Sequence, residues 1–225
     1  MTLVTLLLLF AFVRLGFWQW HRGEEKQSTW TEYERNGAAQ DLSARDIDTV
    51  ARFAHARLRG DFEPAHQFLL DNISHDGQPG YEVLTPFLLE GGDLVLVNRG
   101  WVPFTGYRDR LPDIAMHPPF HQTITGRIDE LPAAGLASGR APPEAGPAWP
   151  KLTSFPTQAE LAATVGKQLP RRVLLLDADA PGGYVRVWTP PGLPPSRHFS
   201  YAIQWWGFAI VLLVLYFGLN FRKVN

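Results

Sequence analysis

The chain is apolar at both ends and mixed in between. The first apolar run extends from Thr2 to Trp20 and is interrupted by a single charge, Arg14. The second runs from Tyr201 to Phe221 and carries no charge. A bilayer core of roughly 30 Å takes about 20 helical residues at about 1.5 Å each, so each run predicts one membrane-crossing helix. A cleaved signal sequence is the rival reading of the first run. It needs a basic leader and a small-residue cleavage site, yet Met1 leads straight into apolar residues, and Phe17, Trp18 and Trp20 stand where the cut would fall. An uncleaved anchor is the better reading. A buried core helix is the rival for the second run, and its length argues against that. Aromatic belts flank the runs: Trp18 and Trp20 on the first, Trp205 and Trp206 at one end of the second, Tyr216 and Phe221 at the other.

The stretch between Arg22 and Arg197 suits one domain. Residues Arg22 to Asn36 are rich in charge and helix formers and extend the first helix into water. From Arg52 onward, short apolar or alternating runs are separated by Gly, Pro and Asp turns, which predicts strands. These are Phe53–Asp61, His66–Leu70, Tyr81–Leu89, Leu94–Asn98, His121–Ile128, Arg172–Leu176 and Tyr184–Trp188. The four residues Glu90-Gly91-Gly92-Asp93 predict a hairpin. Thr157-x-x-Glu160 is a capping box opening a short helix over Leu161, Ala162, Ala163 and Val165. Leu131 to Pro150 reads as a long surface loop, and Pro190 to Pro195 as a stiff connector. Two segments look alike, Ala56–Pro64 and Thr123–Pro132: each is a strand, a glycine, then an acidic turn ending in proline. Coincidence of two strand ends is favoured over an old duplication. The expected fold class is an α+β membrane protein. Two transmembrane helices, residues 1–21 and 198–221, flank one mostly antiparallel β domain, 22–197, with one or two helices. Its sheet could close into a barrel-like form. Residues 222–225 are a cytoplasmic tail.

A net charge of −1 over 225 residues gives no electrostatic reason to expect a nucleic-acid partner, whereas the apolar ends require membrane lipid. The absence of cysteine excludes disulfides, thiolate metal sites and cysteine nucleophiles. Arg222 and Lys223 favour a cytoplasmic C-terminus, which puts the N-terminus on the same side and the domain outside. His21, Arg22 and Lys26, on the outer flank of the first span, disagree mildly.

No hydrolase elbow, phosphate loop, dinucleotide fingerprint or zincin helix is found. The two prolines inside His117-Pro-Pro-Phe-His121 forbid the helix that would align its imidazoles, so a loop is expected there. His55, His66 and His75 read as surface or strand-face residues. A cleft gathering Asp61, His66, His75 and Asp76 would be needed to support an enzyme. Asn98-Arg99-Gly100-Trp101 follows a strand. It reads either as a docking pair, Arg99 with Trp101, or as a strand end where Gly100 permits an unusual backbone and Trp101 plugs the sheet; the structural reading is favoured. The richest segment is Arg197-His198-Phe199-Ser200-Tyr201-Ala202-Ile203-Gln204-Trp205. On a helix, His198, Tyr201 and Trp205 share one stripe at the outer interface. An imidazole among aromatic rings could ligate haem iron, and Arg197 could pair with a propionate. On the residues alone, an interfacial anchor explains the stripe better. His21 lies at a similar depth and could approach the same site from the other helix. Arg14 is about 10 Å deeper than His21 by helical rise, and either has a partner or snorkels.

Taken together, these segments resemble the Surfeit locus protein 1 family of cytochrome c oxidase assembly factors, in order and over nearly the whole chain. The resemblance is carried by Leu15-Gly16-Phe17-Trp18-Gln19 with Arg22 and Lys26, by Gly80-Tyr81-Glu82-Val83-Leu84-Thr85-Pro86, by Val95 to Pro103 with its Asn-Arg-Gly-Trp, and by Arg197 to Trp205 with its His-x-x-Tyr-Ala-x-x-Trp. It implies a non-enzymatic role in the respiratory chain: a chaperone that helps haem a reach oxidase subunit I and stabilises an early intermediate. Haem A synthase is a further candidate partner. It also implies a bacterial inner membrane with the domain in the periplasm, or a mitochondrial inner membrane; the span at the recorded start favours a bacterium. Bacterial members are thought to bind haem a through the histidine matching His198, which turns the balance toward His198 as a ligand. His21 is not part of the family motif. Arg197 departs from the family, where many relatives carry Asn, so a propionate role for it has no support there. The alternative reading is a haem-independent scaffold that holds subunit I.

Overall fold

The computed structural model describes residues 2–35, 37–117, 119, 121–133 and 139–221. Arg222 and Lys223, and with them the expected tail, lie outside the described residues, as do parts of the 117–121 and 131–150 loops. The chain divides into two compact units, residues 1–35 with 189–225 and residues 36–188.

The first unit is a helix pair. Helix α1 spans Thr2–Glu34, so the charged stretch after Arg22 does continue the helix. A later helix, α4, spans Pro195–Asn220. It begins inside the proline-rich connector, because proline at the first helical position gives up only an amide that has no partner there. Both are long and apolar enough to cross a membrane. They run antiparallel: Thr2 meets Tyr216 (Oγ1–Oη 3.1 Å) at one end, and Lys26 donates to the Pro191 carbonyl (3.1 Å) at the other. The covered positions on α1 include Thr5, Leu9, Phe12, Gly16, Gln19 and Gly23. Their alternating steps of four and three are the seam of a left-handed helix pair. Gly16 and Gly23 are fully covered, and the reason is steric. A Cβ on Gly16 would lie 2.2 Å from the Trp206 indole nitrogen, and one on Gly23 would lie 2.5 Å from the Phe199 ring.

The second unit is an eight-stranded mixed sheet with two short helices: β1 (Gln40–Asp41), α2 (Ala44–Ile47), β2 (His55–Phe62), β3 (Phe68–His75), β4 (Gln78–Leu89), β5 (Leu94–Pro103), β6 (Gln122–Glu130), β7 (Lys151–Thr153), α3 (Gln158–Val165) and β8 (Arg172–Leu176). Strand β2 pairs β6, β6 pairs β8, β8 pairs β5, β5 pairs β4, and the end of β4 returns to β2. These five strands close a ring, so the barrel-like form is realised. Antiparallel pairs predominate; β1–β2, β3–β7 and β5–β8 are parallel and short. Leu58, Phe62, Phe87, Val95, Val97, Ile124, Ile128 and Leu174 fill the interior, and Ile47 of α2 joins them. A second apolar layer, with Phe68, Leu84, Leu96 and Val173, packs outside the wall against Leu161 of α3. Strand β5 is therefore buried on both faces, which is why it reads as the continuous run Leu-Val-Leu-Val rather than as an alternation.

The look-alike segments acquire a physical reason. A Cβ on Gly60 would meet the Leu88 carbonyl at 1.9 Å, and one on Gly126 the Leu175 carbonyl at 2.2 Å. Both glycines sit where a strand closes tightly on its neighbour in the ring. The hairpin at residues 90–93 and the capping box of α3 form as expected; Glu160 N donates to Thr157 Oγ1 (3.3 Å). Tyr184–Trp188 does not form a strand. It makes one bridge, Val185 to Trp101. Arg186 instead donates to the carbonyls of Asp177 (2.5 Å), Ala178 (2.8 Å) and Ala180 (2.8 Å), folding the segment into a strap around its own side chain.

Candidate functional site

The helix-pair seam ends in a cluster built on the approach to the second span. His198 is half-buried and bonds through Nδ1 to Gln19 Oε1 of α1 (2.9 Å). With the Gln19 amide oxygen facing the ring, Nδ1 is the ring nitrogen engaged in the bond and Nε2 is the other. Trp20 packs against Phe199 (centroids 4.9 Å) and Trp206 (5.8 Å), and Trp205 stacks on Phe12 (5.7 Å). His198, Tyr201 and Trp205 do fall on one flank of α4, with Tyr201 exposed at its rim. The Arg197 side chain is exposed. A cavity of about 420 Å³ opens beside Phe199, lined by Glu24, Gln27, Ser28, Thr31, Glu32 and Arg35; His198 does not line it.

His21 is not brought to His198. Two residues along a helix turn it by about 200°, and Gln19 holds the seam position. His21 is instead 72% exposed and bonds Glu24 through Nδ1 (3.1 Å). Hydrogen bonds from His21 and then Trp20 hold the Glu24 carboxyl below its ordinary range. Arg14 points away from α4 and is exposed. The expected two-histidine arrangement is therefore replaced by one imidazole and an amide. Gln19 was missed because it looks like an ordinary interfacial residue. Its position on the seam, between Gly16 and Gly23, was the available signal.

A haem carried as cargo fits this donor set in one respect. His198 is a single imidazole held through Nδ1 by a partner, as metal-binding histidines commonly are. Among the described residues, no three His, Cys, Asp or Glu side chains are grouped to hold a metal ion.

Asn98-Arg99-Gly100-Trp101 lies inside β5, not past its end. Residues 99 and 100 oppose Val83 alone, a bulge between the pairs Leu84–Asn98 and Glu82–Trp101. Gly100 adopts φ 107°, and a Cβ there would sit 2.6 Å from the Val185 carbonyl, so this position requires glycine. Trp101 covers the sheet and donates from Nε1 to the Ile73 carbonyl (3.2 Å). Arg99 is buried and turns inward. It donates to Gln67 Oε1 (2.7 Å), Thr85 Oγ1 (3.3 Å) and the Gly182 carbonyl (2.8 Å), and lies over the Tyr184 ring. Burial lowers its pKa from the usual arginine value, and no carboxylate pairs with it among the described residues. Asn98 Nδ2 donates to Glu82 (2.8 Å), whose carboxyl is pushed up by burial. The polar contacts of the segment are made within the domain. Asp61, His66, His75 and Asp76 do not converge: Asp61 takes the His121 amide (2.6 Å), His66 lies by Glu63 (3.7 Å), and His75 by Asp76 (3.5 Å).

An uncharacterised SURF1-like protein of Mycobacterium bovis is 35% identical over 174 residues, 76% of this chain and 60% of the relative. One from Mycobacterium tuberculosis gives the same values. A SURF1-like protein of Rickettsia felis is 28% identical over 101 residues, 44% of this chain and 45% of the relative. The chain thus spans about three-fifths of the length of the mycobacterial relatives it matches. The SURF1 family profile covers residues 6–210, taking in most of α1, the whole barrel and most of α4, and so the chain belongs to the SURF1 family.

Proposed function

We propose that this protein is a membrane-anchored assembly factor for cytochrome c oxidase that presents haem a to subunit I, with His198 as the axial ligand. The SURF1 family is in general one of oxidase assembly factors. In this reading the helix pair crosses a bacterial inner membrane, the barrel stands in the periplasm, and haem A synthase is the upstream source. The observation that supports the haem role is the 2.9 Å bond between His198 Nδ1 and Gln19 Oε1, which engages that ring nitrogen and leaves Nε2 as the one to face iron. Haem brings the electronic chemistry of its iron; the chain's own part is to hold, orient and release it. His21, bonded to Glu24 on the other face of α1, has no role in the reading. The test is the visible spectrum of the full chain purified from cells that make haem A. A Soret band is expected in the wild type and in His21→Ala, and its loss in His198→Ala. A colourless wild type defeats the haem role.

A second reading, a haem-independent scaffold for subunit I, is favoured by the seam itself. Trp206 and Phe199 fill the space over Gly16 and Gly23, so the pair is packed without a guest. That reading requires subunit I to co-purify equally well with His198→Ala.

A further inference from the structure

We infer that the face of α1 turned away from α4 docks a transmembrane helix of another protein, and that this helix carries a carboxylate at the depth of Arg14. The inference does not rest on the oxidase reading; it asks only that α1 cross a bilayer.

Leu3, Leu7, Phe10, Arg14 and His21 lie on the side of α1 away from the first seam by helical geometry, and Phe17 at its edge meets the Trp206 ring of α4 (centroids 5.4 Å). All are exposed, Phe10 by 67%. Lipid alone would cover such a face if it were wholly apolar. Arg14 changes that. It is exposed and makes no hydrogen bond or ion pair among the described residues. By helical rise it lies about 9 Å inside the Trp20 belt and about 18 Å from Thr2. Helical Cα–Cβ bonds tilt toward the N-terminus. On α1 that direction leads away from the nearer interface, so snorkelling to the Trp20 side requires the side chain to double back against its own Cα–Cβ direction. Charged residues placed this way in membrane helices face a partner or a watery cavity.

A second copy of this chain does not supply the counter-charge. Neither apolar run, Thr2–Trp20 or Tyr201–Phe221, contains Asp or Glu. Gln204, exposed on α4, offers an amide oxygen but no charge. A carboxylate on a foreign helix meets the guanidinium with fork geometry, in a medium where the pair is weakly screened.

The test places a photo-crosslinking residue at Phe10 of the full chain in native membranes, with the same residue at Leu8 as an off-seam control. The expected result is a Phe10 adduct mapping to a transmembrane segment with Asp or Glu within one turn of the attachment point. Its yield falls about tenfold in Arg14→Leu, stays high in Arg14→Lys, and recovers when Arg14→Leu is combined with neutralisation of the partner's carboxylate. Arg14→Leu makes the first span more apolar, so failed insertion does not confound it. Adducts to lipid alone, an adduct to a second copy, an adduct equally strong from Leu8, or a protein adduct indifferent to Arg14→Leu or lost equally in Arg14→Lys overturns the inference.

Discussion

The helix pair and the barrel domain solve the burial of polar groups in opposite ways. In the barrel domain, Arg99, Gln67 and Thr85 are all buried, and their polar atoms are joined to one another and to the Pro64, Ile114 and Gly182 carbonyls. A guanidinium is held there by neutral oxygens and an aromatic face. In the helix pair the seam is shaped rather than bonded: glycines receive aromatic rings, and polar contacts sit toward its ends, Gln19–His198 and Lys26–Pro191 at one and Thr2–Tyr216 at the other. The difference follows from the surroundings. A water-facing domain gains from withdrawing apolar area and can enclose a satisfied polar network. Two helices in lipid gain little from apolar contact as such, so fit and a few hydrogen bonds decide their pairing.

The strongest way to break this comparison is in the barrel. Arg99→Leu removes three hydrogen bonds, those to the Gly182 carbonyl, Gln67 Oε1 and Thr85 Oγ1, and leaves Gln67 Oε1 with Thr85 as its donor. With about 1 kcal/mol net for each of three hydrogen bonds lost, a loss of about 3 kcal/mol is expected. In a domain of this size that lowers the melting midpoint by roughly 10 °C, read by near-ultraviolet circular dichroism of the full chain in detergent. The strap at residues 177–186 should loosen with it, since Tyr184 N also bonds the Arg99 carbonyl (2.7 Å). A midpoint shift under 2 °C would mean that the network is not a support of the barrel.

The next effect is expected in the helix pair and not in the barrel. Gly16→Val forces Trp206 out of its notch, an overpacking cost of about 2 kcal/mol. Because the chain has no cysteine of its own, two introduced cysteines can carry spin labels on α1 and α4 without background. The distance distribution between the labels should widen while the barrel's melting midpoint stays unchanged. A fall in that midpoint would show that the two packing regimes are not independent.

The parts of this molecule that were legible in the sequence are those written in local pattern. Both spans, the capped helix at Thr157 and the hairpin at Glu90–Asp93 are each set by residues close in the chain. Strands β1 and β7, two and three residues long, are too short to carry a pattern. Ring closure was only a possibility in the sequence, because it depends on β4 serving β3 with its first half and β2 with its last three residues. Tyr184–Trp188 alternates like a strand, yet Arg186 draws its backbone into a strap, a side-chain effect that alternation does not report. At the candidate site the sequence singled out His198, but not its partner. Depth along a helix is easily read from residue number; angle around it has to be read against the seam, and His21 and Gln19 differ only in that angle.

The smallest expected effect on stability tests that last point. Gln19→Leu keeps the seam apolar and removes one interhelical hydrogen bond, worth about 0.6 kcal/mol between membrane helices. The label distance across the pair should barely change. The imidazole should change more. Without an acceptor at Nδ1, His198 is free to protonate Nε2 instead, and its ring nitrogens, followed by nitrogen NMR of the full chain, should report a mixture where the wild type reports Nδ1–H. If His198 ligates haem, the same variant should bind it about tenfold more weakly, the usual scale for losing a partner that orients a ligand. Gln19→Glu should restore both, because a carboxylate accepts the same proton and makes the ring more basic. A wild-type spectrum that already shows mixed tautomers would mean that the amide does not orient the ring, and the distinction between a shaped seam and a bonded end would disappear.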